Sequence, residues 1–277
     1  MPSVINTNVL SLVAQTNLSR SQMKEATAVK QLSSGLRINS AADDPAGLAI
    51  SQRMQAQVNG MNQAVRNAND AIGMANTGDG ALGAVSNMLQ TMRTLAVQSA
   101  NGTNGTGDQA NLDAEYQQLG QEVQRQLSTT QFNGISILAS TAATQYQIGA
   151  NNTDTLSVSA QNLAGTASTA ISGATSGAVS SSASASAAIA AIDTALTAVN
   201  SARATFGSTS IRFQQIVSTL QINSQNTAAA ESQIMDTDYA QATSALTQAQ
   251  IVQQAGTSML AQANMIPQSV LSLMKNL

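Results

Sequence analysis

Few residues in this chain could carry covalent chemistry. The sequence has no Cys and no His. A thiolate nucleophile, a Ser-His-Asp relay and a His/Cys metal cage are therefore ruled out, and so is a disulfide framework. That leaves the carboxylates, among which the pairs Asp43/Asp44 and Asp236/Asp238 stand out for acid–base or metal work. Both fall where a helix would begin or end. Asp44 precedes Pro45, and a carboxylate followed by a proline is the start signal of a helix: the side chain caps free N–H groups and the ring suits the first helical position. Capping explains both pairs, and no further ligand residues cluster around Asp43 and Asp44. No catalytic residue, metal or cofactor is expected. Two Asn-x-Thr sequons, Asn101-Gly102-Thr103 and Asn104-Gly105-Thr106, lie in a turn-rich stretch, and the loop reading accounts for them.

The elements around these residues are mostly helical. Leu10, Ala14, Leu18, Val29, Leu32 and Leu36 form a stripe over 4–36, widened by Val9, Leu12 and Val13, and Ser33-Ser34-Gly35 interrupts it. A long helix is predicted from Pro45 to about residue 100, carried by Val58, Met61, Val65, Ala68, Ile72 and Ala75 and then by Leu82, Val85, Leu89, Met92 and Ala96. The missing step near Thr77-Gly78-Asp79-Gly80 is a stammer, which predicts a local overwinding or bend. After the loop at 101–107, Leu112, Tyr116, Leu119, Val123 and Leu127 predict a helix over 109–129. Ile135, Ile137, Tyr146, Ile148, Leu156 and Val158 then alternate at period two, as in short hairpin strands. Residues 164–188 are nearly all Ala, Gly, Ser and Thr and predict a loop or frayed tip, with Ile171 and Val179 as its possible anchors and hydroxyls that could carry O-linked sugars. Helix resumes at about 186 and holds a heptad spacing to about 233 through Ile189, Ile192, Leu196, Val199, Phe206, Phe213, Val217 and Leu220.

The last segment is the most regular. Ala249, Val252, Gly256, Met259, Ala263, Ile266, Val270, Leu273 and Leu277 follow an unbroken 3-4 spacing, a coiled-coil seam, with small residues that would admit a partner backbone. Pro267 would weaken this helix locally. No charged residue occurs from Met1 to Ser19 or from Tyr239 to Met274. Charged residues make up 9% of the chain, against about 25% in a usual soluble domain. Helices without a charged face are expected to be buried on all sides. These two are too rich in Gln, Asn, Ser and Thr for lipid, so burial against other protein is the expectation. No unbroken apolar run approaches a membrane span, no cleaved leader is apparent, and a formal net charge of −3 offers no basic patch for nucleic acid.

The motifs resemble those of bacterial flagellin. They comprise Val4-Ile5-Asn6-Thr7-Asn8, Leu32-Ser33-Ser34-Gly35-Leu36-Arg37-Ile38-Asn39-Ser40-Ala41 with Asp43-Asp44, Arg66-Asn67-Ala68-Asn69-Asp70, Leu95 to Asn101, and Gln131-Phe132-Asn133-Gly134. Towards the end come Asp236-Thr237-Asp238-Tyr239-Ala240, Gln253 to Asn264, and Pro267 to Leu273. They cover about 1–138 and 186–277.

The resemblance implies a mainly α fold: a long antiparallel helical bundle with a small β-hairpin region and paired N- and C-terminal helices. Residues 1–40 with 240–277 would form an inner coiled-coil domain lining a filament core. Residues 41–239 would form a helical bundle with the hairpin at about 131–160 and the low-complexity tip at about 164–188, a minimal form without large outer domains. It implies a non-enzymatic subunit that polymerises with its own copies into the extracellular flagellar filament used for swimming. The export machinery, a chaperone, the filament cap and hook-junction proteins are the further partners. A hook–filament junction protein is the alternative within the same design. The subunit-interface residues expected are Val9, Leu10, Leu12, Leu18, Leu32, Leu36, Arg37, Val252, Met259, Ala263, Ile266, Val270 and Leu273, with residues 1–35 and about 240–277 becoming ordered on polymerisation. Some flagellins are sensed by a host Toll-like receptor through an L-Q-R-x-R-E-L-A strip. Here Gln90, Arg93 and Leu95 keep that pattern, but Thr91 and Thr94 replace its first Arg and its Glu, which weakens the expectation.

Overall fold

The computed structural model describes residues 7–159, 161–164 and 168–275, with side chains described as far as Met265. Its elements run in the order α1 (Val9–Ser34), α2 (Pro45–Ala100), α3 (Thr106–Thr129), β1 (Gln131–Phe132), β2 (Ile135–Ser136), β3 (Thr144–Gln147), β4 (Thr155–Val158), α4 (Thr169–Thr175), α5 (Ser182–Met235) and α6 (Tyr239–Lys275). The chain divides into two compact units. One is built from residues 1–56 and 226–277, the other from 57–225.

The second unit holds the large core. α2 contributes Met74, Leu82, Val85, Leu89 and Met92, α3 contributes Tyr116, Val123 and Leu127, and α5 contributes Ile192, Val199, Phe206 and Phe213. These positions recur at intervals of three, four, seven or eight residues, which turns one stripe of each helix toward a shared interior. Two exposed ion pairs join α2 to α5: Arg93 Nε to Asp193 Oδ1 at 2.7 Å and Arg203 Nε to Asp79 Oδ1 at 2.8 Å. Their order, ascending on α2 and descending on α5, makes the two helices antiparallel. The hydrogen bond from Arg93 holds the Asp193 carboxyl below its ordinary range.

The stammer does not break α2, which runs as continuous helix through Thr77–Gly80. Gly78 makes room for the Phe206 ring of α5. A Cβ built there would lie 2.9 to 3.2 Å from three ring carbons. The irregularity in the apolar spacing is thus absorbed by an aromatic side chain reaching across from a neighbouring helix.

The period-two stretch forms two antiparallel hairpins. β1 pairs with β2 through Gln131↔Ser136 and Phe132↔Ile135. Asn133 (φ 49) and Gly134 (φ 77) close this hairpin, both at the positive φ that a two-residue turn of this hand requires. β3 pairs with β4 from Thr144↔Val158 to Gln147↔Thr155. Tyr146 meets Phe213 edge-on at 5.6 Å, which fastens the second hairpin to α5.

Two sequence expectations need correction. Residues 168–188 are not a loose tip. Ser168 caps α4, accepting from Ile171 N, and Ile171, Ala174, Val179, Ala185 and Ala188 are buried. α4 lies against α3 at Gly120, where an added Cβ would come within 2.6 Å of Thr175 O. Tyr116 donates its hydroxyl to Ala174 O, Gln117 Nε2 donates to Gly177 O, and Val179 N donates to Asp113 Oδ1. Small side chains let this backbone approach α3 closely enough for α3's polar groups to bond its carbonyls and amides directly. Burial pushes the Tyr116 phenol up to about 12. The second correction concerns hydropathy. α5 is long and apolar enough by length and composition to cross a membrane, with an 18-residue window of mean hydropathy 1.3, although no unbroken apolar run predicts one. Interspersed alanines raise the mean, and Ala185, Ala188, Ile192, Ala195 and Val199 turn into the core.

Candidate functional site

The first unit pairs α1 with α6. The α6 residues facing α1 are small and seven apart: Ala242, Ala249 and Ala263 are buried, and a Cβ on Gly256 would sit 3.3 Å from Leu18 Cδ1. On α1 the buried positions are Ser11, Ser21 and Ala28. Backbones this close allow side chains to bond the opposite main chain. Ser21 Oγ donates to Ala249 O at 3.0 Å, and Asn8 Nδ2 donates to Ala263 O at 2.8 Å. Asn8 also caps α1 by accepting from Ser11 N at 3.2 Å, so one residue starts the helix and fixes its register. The contacts Asn8 to Ala263, Leu18 to Gly256 and Ser21 to Ala249 make the pair antiparallel.

A seam filled by small side chains leaves the large ones outside. Val9, Leu10, Leu12, Val13, Met23 and Val29 of α1 are exposed, as are Ile251, Val252, Met259 and Met265 of α6. Large apolar side chains left exposed on both helices of one pair are what an interaction surface would present. The predicted α6 stripe therefore divides. Ala249, Gly256 and Ala263 meet α1, while Val252 at 46% and Met259 at 64% exposure face away.

A junction within the same unit sets the pairing. Gly35 ends α1 in the left-handed region with φ 71, and its N–H donates to Gln31 O at 2.9 Å. The next residue, Leu36, forms an antiparallel bridge with Asp236. Arg37 N donates to Met235 O at 2.6 Å and Thr237 N donates to Gly35 O at 2.9 Å. The Arg37 guanidinium donates twice to Ile234 O, at 3.1 and 2.7 Å, satisfying a carbonyl at the end of α5 with a cation. The acidic pairs act as caps and turn anchors. Asp44 Oδ1 accepts from Gly47 N and Asp238 Oδ1 from Ala240 N and Gln241 N. Asp43 Oδ2 accepts from Asn39 N, Ser40 N and Ser40 Oγ, and these bonds, with nearby Lys30, hold its carboxyl below the ordinary range.

Of the predicted interface residues, Val9, Leu10, Leu12, Val252 and Met259 lie on the outward apolar faces. Leu18, Leu32 and Leu36 are half-buried and Ala263 is in the seam. Arg37 is committed to Ile234. The side chains of Ile266, Val270 and Leu273 lie outside the described residues, although α6 runs through them and through Pro267. In the 89–96 strip Gln90 is exposed, Arg93 is paired with Asp193 and Leu95 is buried. Sequence reading missed Ser11, Ser21, Ala28 and Ala242, because small and hydroxylic residues carry no hydropathic signal. The available clues were Ser21 and Ala28 seven apart and Ala242 seven before Ala249.

A helix pair that buries small residues and displays large apolar ones, in a chain whose other unit holds a bundle core, is what a self-associating structural subunit presents. Residues 5–143 match the bacterial flagellin N-terminal helical region and residues 189–274 the bacterial flagellin C-terminal helical region. A flagellin of Halalkalibacterium halodurans is 42% identical over 98% of this chain and the whole of its own length. One of Xenorhabdus nematophila is 40% identical over 99% of this chain, again spanning its whole length. The crystal structure of Bacillus cereus flagellin aligns with TM-score 0.50 at 36% identity, covering 60% of this chain and 94% of its own. A structure assigned to a flagellar hook-associated protein of Vibrio parahaemolyticus shares the fold at TM-score 0.60 but only 13% identity, covering 70% of this chain and all of its own. This chain belongs to the bacterial flagellin family. It is a structural protein, not an enzyme, and it polymerises with its own copies into the extracellular flagellar filament.

Proposed function

We propose that polymerisation is driven by burial of the outward faces of α1 and α6 against neighbouring subunits. The supporting observation is the inverted pair itself: alanine, serine and glycine inside, Val9, Leu10, Leu12, Val13, Val252 and Met259 outside. Fully burying one such side chain contributes about 1.5–3 kcal/mol. With roughly half of that surface already covered, about 1 kcal/mol each remains, or about 6 kcal/mol for the six. The seam within the subunit removes only small groups from water, so the pair gains most of its stability on assembly, and α1 and α6 become fully ordered there. The inner filament domain is proposed to comprise residues 1–40 with 240–277, and Ile266, Val270 and Leu273 are proposed as further contact residues from their heptad spacing in the sequence. A contact that does not close on itself propagates as an open helix.

The test is assembly of Val252→Asp and Met259→Asp, each placing an uncompensated charge in the proposed contact. Sedimentation and electron microscopy should find soluble subunits with an intact bundle core, and filaments at normal yield would overturn the reading. The same micrographs separate a filament subunit from a junction protein, which would not grow long filaments alone. Export machinery, a chaperone, the filament cap and hook-junction proteins are proposed as further partners on family grounds. Recognition by a host Toll-like receptor is proposed to be weak. Thr91 and Thr94 depart from the recognised pattern, Arg93 is tied to Asp193, and Leu95 is buried. Strong activation of reporter cells by purified subunit would contradict this.

A further inference from the structure

We propose that Asn101 is a site of spontaneous succinimide chemistry, which expels its side-chain amide nitrogen and leaves aspartate or isoaspartate, each with one free carboxylate. The chain holds Asn-Gly pairs at Asn59, Asn101, Asn104 and Asn133. In each, glycine lacks the side chain that would shield its backbone nitrogen from the preceding amide. The fold distinguishes the four. Gly60 lies within α2, where the backbone N–H is held in the helical ladder and helical dihedrals keep it away from the Asn59 side chain. Asn133 and Gly134 are fixed at φ 49 and 77 by the pairing of Phe132 with Ile135.

Asn104 is guarded at both reacting atoms. Its Nδ2, the leaving nitrogen, donates to Gln98 O at 2.6 Å. The Gly105 N–H, the nucleophile, donates to Asp108 Oδ2 at 3.2 Å in the turn that starts α3. Asn101 has the opposite arrangement. It stands one residue beyond α2 in an exposed loop, and among the described residues the Gly102 N–H has no hydrogen-bond partner. Thr103 N donates to Asn101 Oδ1 at 3.4 Å, drawing electron density from the carbon to be attacked. Nothing lies within 4 Å of a Cβ built on Gly102, so the backbone there can rotate into the attacking geometry.

The step is redox-neutral and needs only water. The Gly102 nitrogen loses its proton to base and bonds to Asn101 Cγ. The Cγ–Nδ2 bond breaks, and ammonia leaves with the proton. Water then opens the ring at either carbonyl, giving aspartate or isoaspartate. Each event adds one negative charge just past the C-terminal end of α2, where helix carbonyls disfavour it. The isoaspartyl product also lengthens the backbone across the turn held by Asn101 N to Gln98 O and Asn104 N to Asn101 O. The joint between α2 and α3 therefore loosens with age.

The experiment incubates purified full-length subunit at neutral and mildly alkaline pH, then locates the product by peptide mass mapping and by enzymatic methylation of isoaspartyl residues. Conversion should appear at Asn101 before Asn104, Asn59 and Asn133, and should speed up with pH. Gly102→Ala, for which the fold leaves open space, should slow it several-fold with an unchanged circular dichroism spectrum. Asp108→Ala frees the Gly105 N–H and should raise conversion at Asn104 several-fold. Conversion at Asn101 no faster than at Asn104 or Asn133, or a rate indifferent to Gly102→Ala, would overturn the assignment.

Discussion

Replacing Gly78 by alanine sets two effects of known size against each other. In a helix interior glycine costs about 1 kcal/mol relative to alanine, so on propensity alone the change should stabilise α2. The Phe206 ring opposes that gain. A Cβ at position 78 would lie 2.9, 3.0 and 3.2 Å from Cζ, Cε2 and Cε1 of that ring. Phe206 is 2% exposed, so the ring can move only against the core side chains packed around it. Overpacking of this kind costs about 1–3 kcal/mol, and the net effect of Gly78→Ala is a loss of about 0–2 kcal/mol. The decisive measurement is a double-mutant cycle with Phe206→Leu. Leucine ends at Cδ and lacks all three clashing carbons. In that background Gly78→Ala should stabilise by about 1 kcal/mol, a coupling of about 1–3 kcal/mol. Gly80, with nothing within 4 Å of an added Cβ, supplies the control: Gly80→Ala should stabilise in either background. Urea unfolding of the monomer followed by circular dichroism gives the energies, and hydrogen exchange of α2 amides identifies the unit that responds. Equal effects of Gly78→Ala in the two backgrounds would refute the account of how α2 tolerates its stammer.

Other outcomes follow from single contacts. Gly35→Ala puts a side chain at φ 71, 3.0 Å from the Tyr239 hydroxyl, and should cost about 1–2 kcal/mol, read as lower hydrogen-exchange protection in α1. Asp44→Ala removes the cap on Gly47 N and should cost about 1 kcal/mol in thermal unfolding. Tyr116→Phe leaves Ala174 O unpaired in a buried site and should cost about 1–3 kcal/mol. Tyr116 also predicts a pH dependence. Its phenol is pushed from 10.0 up to about 12 in the folded chain, so the folded state keeps a proton that the unfolded state has lost. Stability should fall as pH rises from about 10 to about 12, and Tyr116→Phe should flatten that part of the curve.

What the sequence disclosed was what hydropathy encodes. The helices of the bundle, both hairpin stretches and the Asp44 cap could be read from apolar spacing and start signals. The missed features involve contacts made by small groups. α4 was hidden because alanine, serine and threonine give no periodic contrast; what orders it is the closeness of approach that those residues permit and the bonds from Tyr116, Gln117 and Asp113. The seam between α1 and α6 was hidden for the same reason. The eye follows Leu10 and Val29, whereas the buried positions are Ser11, Ser21 and Ala28. The charge-free stretches fall on helices whose large apolar side chains are exposed in the single chain, but which side of α6 meets α1 depended on Gly256 and its alanines.

The joining of α1 to α6 has a consequence in time. Asn8 finds its partner at Ala263, and Ser21 at Ala249, so nearly the whole chain must have arrived before the first helix can close its seam. A polypeptide delivered from either end completes this pair last. A copy cut ahead of Ala249 lacks the partners of both Asn8 and Ser21, so the proposed recruiting surface forms only where that part of α6 is present. On the proposed function, the length of chain between the two helices would exclude fragments without α6 from the growing polymer.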